Sequence, residues 1–292
     1  MWKIYSDLTK FGIVVFVVIS GLAGYATSFL IEMPFSWNHF LSLLGGLYFL
    51  SSGSLALNQT QEWRMDQKMA RTAKRPIASG KIKPAAGGIL SFIFLYLGMQ
   101  LLLQTSVMAA ILGAVTVILY NGIYTYLWKP KWIFGAVPGA IPGALPVSIG
   151  YAANDPNIFN LDSIYLFLIM FLWQMPHFWV LAIKFKDDYA NGGVPTLPVS
   201  LGVERTIYHI GIYTYAYIAT AIVSPWMVHA SWVYLALVGP FCFKVLQEYY
   251  RYFRSKGTER WLAFFLWTNV SMLVFLFVPV IDKWSFLFIG RG

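Results

Sequence analysis

Residues 11–31 read FGIVVFVVISGLAGYATSFLI, an uninterrupted stretch with no charged side chain. A helix of about 20 apolar residues spans the hydrocarbon layer of a bilayer, so this stretch alone predicts a membrane-crossing helix. Outward from it, eight further runs of the same character follow, at 40–57, 86–103, 107–127, 132–152, 163–183, 207–228, 231–246 and 261–281. The run at 231–246 is the shortest, and Lys244 marks its end. Hydrophobic residues make up 58% of the chain and charged residues 11%, against about 25% charged in an average soluble domain. The expected fold class is all-α: a polytopic membrane helical bundle of nine transmembrane helices around a central cavity, organised as one domain, 1–292.

Lys3 and Lys10 precede the first run as in a signal peptide, but the run is long and lacks a clear small-residue cleavage site, so it reads as a span. No Arg- and Ser-rich presequence precedes it, which points to a bacterial plasma (inner) membrane. The net charge of +9 does not indicate a nucleic-acid partner, because its distribution is one-sided. With the N-terminus cytoplasmic and nine spans, all of the 21 basic residues except Lys283 and Arg291 fall on one side, as the positive-inside rule requires. Cys242, the single cysteine, lies within an apolar run. That excludes a disulfide framework and a cysteine metal site.

Two polar segments each follow an apolar run on the side assigned to the cytoplasm. In the first, 58–76, Asn58, Glu62 and Asp66 recur every fourth residue, so a helix places three oxygen-bearing side chains on one face. Neighbouring carboxylates repel unless a cation lies between them. Mg²⁺ suits such a face, since it takes oxygen ligands from one or two carboxylates and from substrate phosphates. Arg71, Lys74 and Arg75 follow, the residue types that hold phosphate oxygens. The competing reading is a solvated helix whose acids pair with nearby Lys and Arg, and spacing alone weighs the two equally. The second segment, 174–198, contains Gln174-Met175-Pro176-His177-Phe178-Trp179 and then Lys184, Asp187 and Asp188. On a continuous helix His177, Lys184 and Asp188 share a stripe. Pro176 loosens the backbone beside the histidine, and a histidine at membrane depth is a functional candidate.

Taken together, Asn58-xxx-Glu62-xxx-Asp66 with Met69-x-Arg71-Thr72-x-x-Arg75-Pro76, and Met175-Pro176-His177-Phe178-Trp179 with Asp188-Tyr189 and Val194-Pro195-x-Leu197-Pro198, resemble the paired signatures of UbiA-type intramembrane prenyltransferases, in their haem O synthase branch. The Gly- and Pro-rich run at 135–146 is similar to that branch's fifth span, and the resemblance covers nearly the whole chain. Glu62 stands where the superfamily usually has Asp, and Lys184 stands where it has the first Asp of its second motif.

The resemblance implies transfer of a farnesyl group from farnesyl diphosphate to a vinyl group of haem B (protohaem IX), with Mg²⁺, in two copies, as cofactor. It implies metal ligation by Asn58, Glu62, Asp66, Asp187 and Asp188, with Asn58, Glu62, Asp66 and Asp188 as the catalytic set. It implies diphosphate binding by Arg71, Lys74, Arg75 and Lys184, with His177 and Trp179 on the haem side. Implied partners are the two substrates, the lipid bilayer, and the enzyme that oxidises haem O to haem A or a terminal oxidase assembly. Two other readings stay open: a UbiA-type enzyme acting on an aromatic quinone precursor or another tetrapyrrole, and, more remotely, a membrane transporter. Acids gathered at one membrane face favour an enzyme over a conduction path.

Overall fold

The computed structural model describes residues 2–227 and 231–284 and is all-helical over them. In chain order the helices are α1 Trp2–Thr9, α2 Phe11–Ser28, α3 Trp37–Asp66, α4 Pro84–Thr105, α5 Val107–Lys131, α6 Ala136–Ala152, α7 Leu161–Lys184, α8 Lys186–Asn191, α9 Leu197–Ser200, α10 Val203–Met227, α11 Trp232–Arg254 and α12 Trp261–Trp284. Each apolar run of the sequence falls on one of these helices. Residue 228, at the end of the seventh run, and Arg291 lie outside the described residues.

Six of the described helices, α2, α3, α4, α5, α7 and α12, are long and apolar enough to cross a membrane. The helices over the other three runs are less clear-cut. α6 has only 17 residues, α10 carries Glu204, Arg205 and several tyrosines, and α11 is polar in its last turns. α11 also continues past Lys244, where the sequence predicted a boundary. The physical reason is Glu248, which is fully buried and bonded to Lys244 (2.8 Å), Arg251 (3.1 Å) and Arg260 (2.8 Å), so the extension carries its charges in compensated form.

The chain divides into two compact units. One comprises Met1–Pro156 and Phe185–Thr196, the other Asn157–Lys184 and Leu197–Gly292. In the first unit α3 packs along α4, and α2 packs against α6. Glycine makes the second contact possible: a side chain at Gly24 would strike the Val147 carbonyl, and one at Gly150 would strike the Gly21 carbonyl. Small residues allow helix backbones to approach in this way within a membrane. Two glycines of the Gly- and Pro-rich run at 135–146 pack locally, Gly135 against the Trp128 carbonyl and Gly139 against the Tyr124 ring. Ile89, Phe92, Ile93 and Tyr96 on α4 are exposed at helical spacing. Such an outward apolar stripe is what a lipid-facing helix presents.

Helix boundaries follow local chemistry. Ser36 caps α3 by accepting the His39 N–H, and Ser106 caps α5 by accepting the Ala109 N–H. Pro84 opens α4 at a position that needs no N–H donor. Within α5, Ile118–Trp128 winds as a π-helix. In the second unit α7, α10, α11 and α12 pack together, tied by the Tyr165 hydroxyl, which meets the Tyr234 hydroxyl at 2.5 Å and donates to the Phe275 carbonyl at 3.0 Å.

Candidate active site

The face predicted on α3 is present. Asn58, Glu62 and Asp66 are buried on successive turns of one uninterrupted helix, with 1%, 6% and 1% of their surface exposed. Unpaired carboxylates are not tolerated at that depth, and each of the three side chains meets a different cation. Lys10 Nζ donates to Asn58 Oδ1 at 3.2 Å. Lys129 Nζ lies 2.7 and 2.5 Å from the two Glu62 oxygens. Arg75 donates to both Asp66 oxygens at 2.8 Å. The amide orientation of Asn58 is fixed as well, because its Nδ2 donates to Thr125 Oγ1 at 3.3 Å, which leaves Oδ1 directed at the cation.

Three segments deliver these cations. Lys129 follows the π-helical part of α5, which also carries Asn121 and Thr125. Asn121 exchanges hydrogen bonds with Ser54 (2.6 and 2.9 Å) and receives one at its carbonyl from Gln61 (3.0 Å). The altered winding thus comes with an interhelical polar ladder, a common setting for functional π segments. Lys10 sits between α1 and α2 with φ 52°, a left-handed conformation that a lysine adopts only when its surroundings impose it. Gln59 anchors that corner by donating to the carbonyls of Asp7 and Leu8 at 2.7 and 2.8 Å. Burial pulls the Lys10 ammonium down to about 7, reinforced by Arg75 and Lys129 and opposed by Glu62. Arg75 belongs to the turn region after α3, which is tied back where Thr72 donates to the Asp66 carbonyl at 2.9 Å.

The second segment departs from the expected stripe. α7 ends at Lys184, Phe185 breaks the helical backbone, and α8 begins at Lys186. Asp188 therefore does not continue the His177–Lys184 face. It belongs with the first unit, where its two oxygens accept the backbone N–H groups of Ala70 (3.0 Å) and Arg71 (3.3 Å). Arg71 is exposed. It packs its guanidinium 4.9 Å from the Phe185 ring centroid and reaches the Tyr189 hydroxyl at 3.4 Å. Burial pushes the Tyr189 phenol up, with Arg71 pulling the other way. Asp187 and Lys74 are exposed. Lys184, also exposed, stands over the Trp261 ring at 5.2 Å within the second unit.

His177 lies in the second unit. Its Nδ1 is 2.8 Å from Asn269 Oδ1, with the rings of Trp173 and Phe265 at 4.6 and 4.8 Å. Trp179 is fully buried in the same unit, meets Tyr213 edge-on at 5.2 Å, and keeps its indole N–H without a hydrogen-bond partner. Sequence reasoning missed Lys10, Lys129 and Asn269. The only signal available for the two lysines was their position at the ends of apolar runs.

Among the described residues no three His, Cys, Asp or Glu side chains gather closely enough to hold a metal ion by themselves. The donor set nonetheless fits Mg²⁺. It consists of oxygens on successive buried turns, too few to saturate the ion, which is how sites completed by substrate phosphates are built.

The model of the UbiA prenyltransferase family matches residues 14–270. A relative from Bdellovibrio bacteriovorus named protoheme IX farnesyltransferase is 66% identical over the full length of both chains. A protein of the same name from Stutzerimonas stutzeri is 34% identical over 95% of this chain and 93% of its own. Among solved structures, a digeranylgeranylglyceryl phosphate synthase superposes with a TM-score of 0.79 at 18% identity, over 97% of this chain and 99% of that one. A UbiA homolog from Archaeoglobus fulgidus, bound to DMAPP and Mg²⁺, superposes at 0.66 with 13% identity, over 95% and 99%. With its apolar helices and its acid-and-cation face, the chain is an integral membrane protein that belongs to the UbiA prenyltransferase family.

Proposed function

We propose that this protein transfers a farnesyl group from farnesyl diphosphate to a vinyl group of protohaem IX, giving haem O and diphosphate. The observation that carries the reading is the face of Asn58, Glu62 and Asp66, buried and matched one for one by Lys10, Lys129 and Arg75. The acceptor rests on the full-length similarity to the Bdellovibrio protein.

Asn58, Glu62 and Asp66 would hold Mg²⁺, which when bound offsets charge on the diphosphate oxygens as that group leaves. The chain's own cations have the complementary task. Arg75 and Lys129 balance the carboxylates in the ligand-free protein, and with the acids engaged elsewhere they are available to the diphosphate. Arg71 is held by backbone bonds to Asp188 and by Tyr189, ready to add a planar, multi-donor contact. Preorganised charge of this kind stabilises the leaving group in the transition state. Breaking the allylic C–O bond leaves a farnesyl cation that the vinyl carbon attacks, and water adds to the resulting cation with loss of a proton, forming the hydroxyethylfarnesyl group. Excluding bulk water until that point is the advantage of a site within apolar helices. His177 is assigned to the acceptor side.

We further propose that the helices over all nine apolar runs span the cytoplasmic membrane of a bacterium with the N-terminus inside, on the strength of the one-sided basic residues. The direct test is to incubate membranes containing the chain with haem B and farnesyl diphosphate, with and without Mg²⁺, and analyse the haem by mass. A Mg²⁺-dependent hydroxyethylfarnesyl adduct is expected; intact substrates with the protein present would reject the acceptor.

A further inference from the structure

We propose that His177 binds the iron of the haem acceptor through Nε2, and that Asn269 is the positioning residue that fixes this nitrogen as the ligand. The proposal rests on the reading that haem is the acceptor. Its basis is a chain of hydrogen bonds with no freedom of direction. The Asn269 amide donates from Nδ2 to the Phe265 carbonyl at 2.7 Å. A carbonyl only accepts, so the amide cannot be turned over, and Oδ1 is the atom presented to His177 at 2.8 Å. Oδ1 also only accepts, which places the proton of the neutral ring on Nδ1. The lone pair is then on Nε2. Metal-bound histidines show this arrangement, donating the second ring N–H to a carbonyl or carboxylate that orients the ring and raises its basicity, and a histidine nitrogen is a common axial ligand of haem iron.

Trp173 and Phe265 pack on the imidazole at 4.6 and 4.8 Å and restrict its rotation. The indole N–H of Trp173, one helical turn before His177, is buried without a hydrogen-bond partner. A donor left in that state costs about 1–3 kcal/mol, and an acceptor on a bound ligand would relieve it. The carboxylate side chains of a haem are acceptors of the required kind. Pro176 adds local slack, because it cannot donate to the Leu172 carbonyl one turn earlier.

The test is spectroscopic and needs no turnover. Purified full-length protein in detergent is loaded with haem B, and its visible absorption and the ferrous iron–histidine stretch are recorded. The wild type is expected to show histidine ligation. His177→Gly is expected to lose that signature and regain it with added imidazole, while His209→Ala, at a histidine of α10, keeps it. Asn269→Ala is expected to retain ligation with the stretch shifted to lower frequency and affinity reduced about 10–100-fold, a change that a purely structural residue would not cause. An unchanged spectrum in His177→Gly, from a protein whose wild type makes haem O, would overturn the ligand assignment and leave the proposed function intact. Neither histidine-ligated haem nor haem O from the wild type would overturn both.

Discussion

The two signature segments of this chain began as equivalent patterns and folded differently. Asn58, Glu62 and Asp66 share one unbroken helix, so a spacing of four translates into a common face. His177, Lys184 and Asp188 have spacings that suit a helix equally well, yet Phe185 interrupts the backbone and Asp188 joins the other unit. Periodicity predicts neighbours only as far as the helix runs. The acids also differ in their partners: Glu62 and Asp66 are buried against side-chain cations, whereas Asp188 is occupied by backbone amides and Asp187 is exposed.

That contrast yields a graded set of outcomes. The largest effects belong to the α3 face. Asp66→Asn and Glu62→Gln are expected to lower turnover by about 10²–10³-fold or more while the protein still inserts, as measured by haem O formation in membranes of matched protein content. Activity near wild type in both would remove the metal-side assignment. Next is Lys129→Met, which leaves Glu62 as a buried, unpaired carboxylate. Thermal stability without Mg²⁺ is expected to fall by about 3–5 kcal/mol, and Mg²⁺ with farnesyl diphosphate is expected to recover more stability than it adds to the wild type. Equal gains in the two proteins would show that Lys129 is not the partner the ligands replace. Asp188→Asn keeps one acceptor for the loop and is expected to cost about tenfold in activity, the equivalent of one charge-assisted hydrogen bond. A loss matching Asp66→Asn would instead make Asp188 a metal ligand and erase the distinction between the segments. Asp187→Ala, at an exposed position, is expected to change kcat/KM by no more than about twofold, in line with the small effect of surface substitutions.

Much of the architecture was legible because lipid imposes a simple rule: apolar stretches of the right length become helices. The 58–66 face was legible for the related reason that residues four apart on a helix are neighbours. Three things were not legible. The π-helical winding of Ile118–Trp128 is marked by no proline, and the polar Asn121 and Thr125 within it do not by themselves distinguish π from α winding. The pairing of Glu62 with Lys129 and of Asn58 with Lys10 joins residues 67 and 48 positions apart, so local spacing carries no trace of either. Asn269 is 92 positions from His177 and looks from its own neighbourhood like an ordinary polar residue in an apolar run. The interruption at Phe185 was hidden because the surrounding residues alternate apolar and charged without a Gly or Pro.

The central claim, a UbiA-type site whose acceptor is haem, is tested most directly by competition. Purified protein with farnesyl diphosphate and Mg²⁺ is given haem B and an aromatic carboxylic acid acceptor in equal amounts, and the farnesylated products are identified by mass. The farnesyl group is expected on haem, as its hydroxyethylfarnesyl derivative, with the aromatic acid unmodified. Farnesyl on the aromatic acid with haem untouched would contradict it, and would make the chain a quinone-type member of the same family.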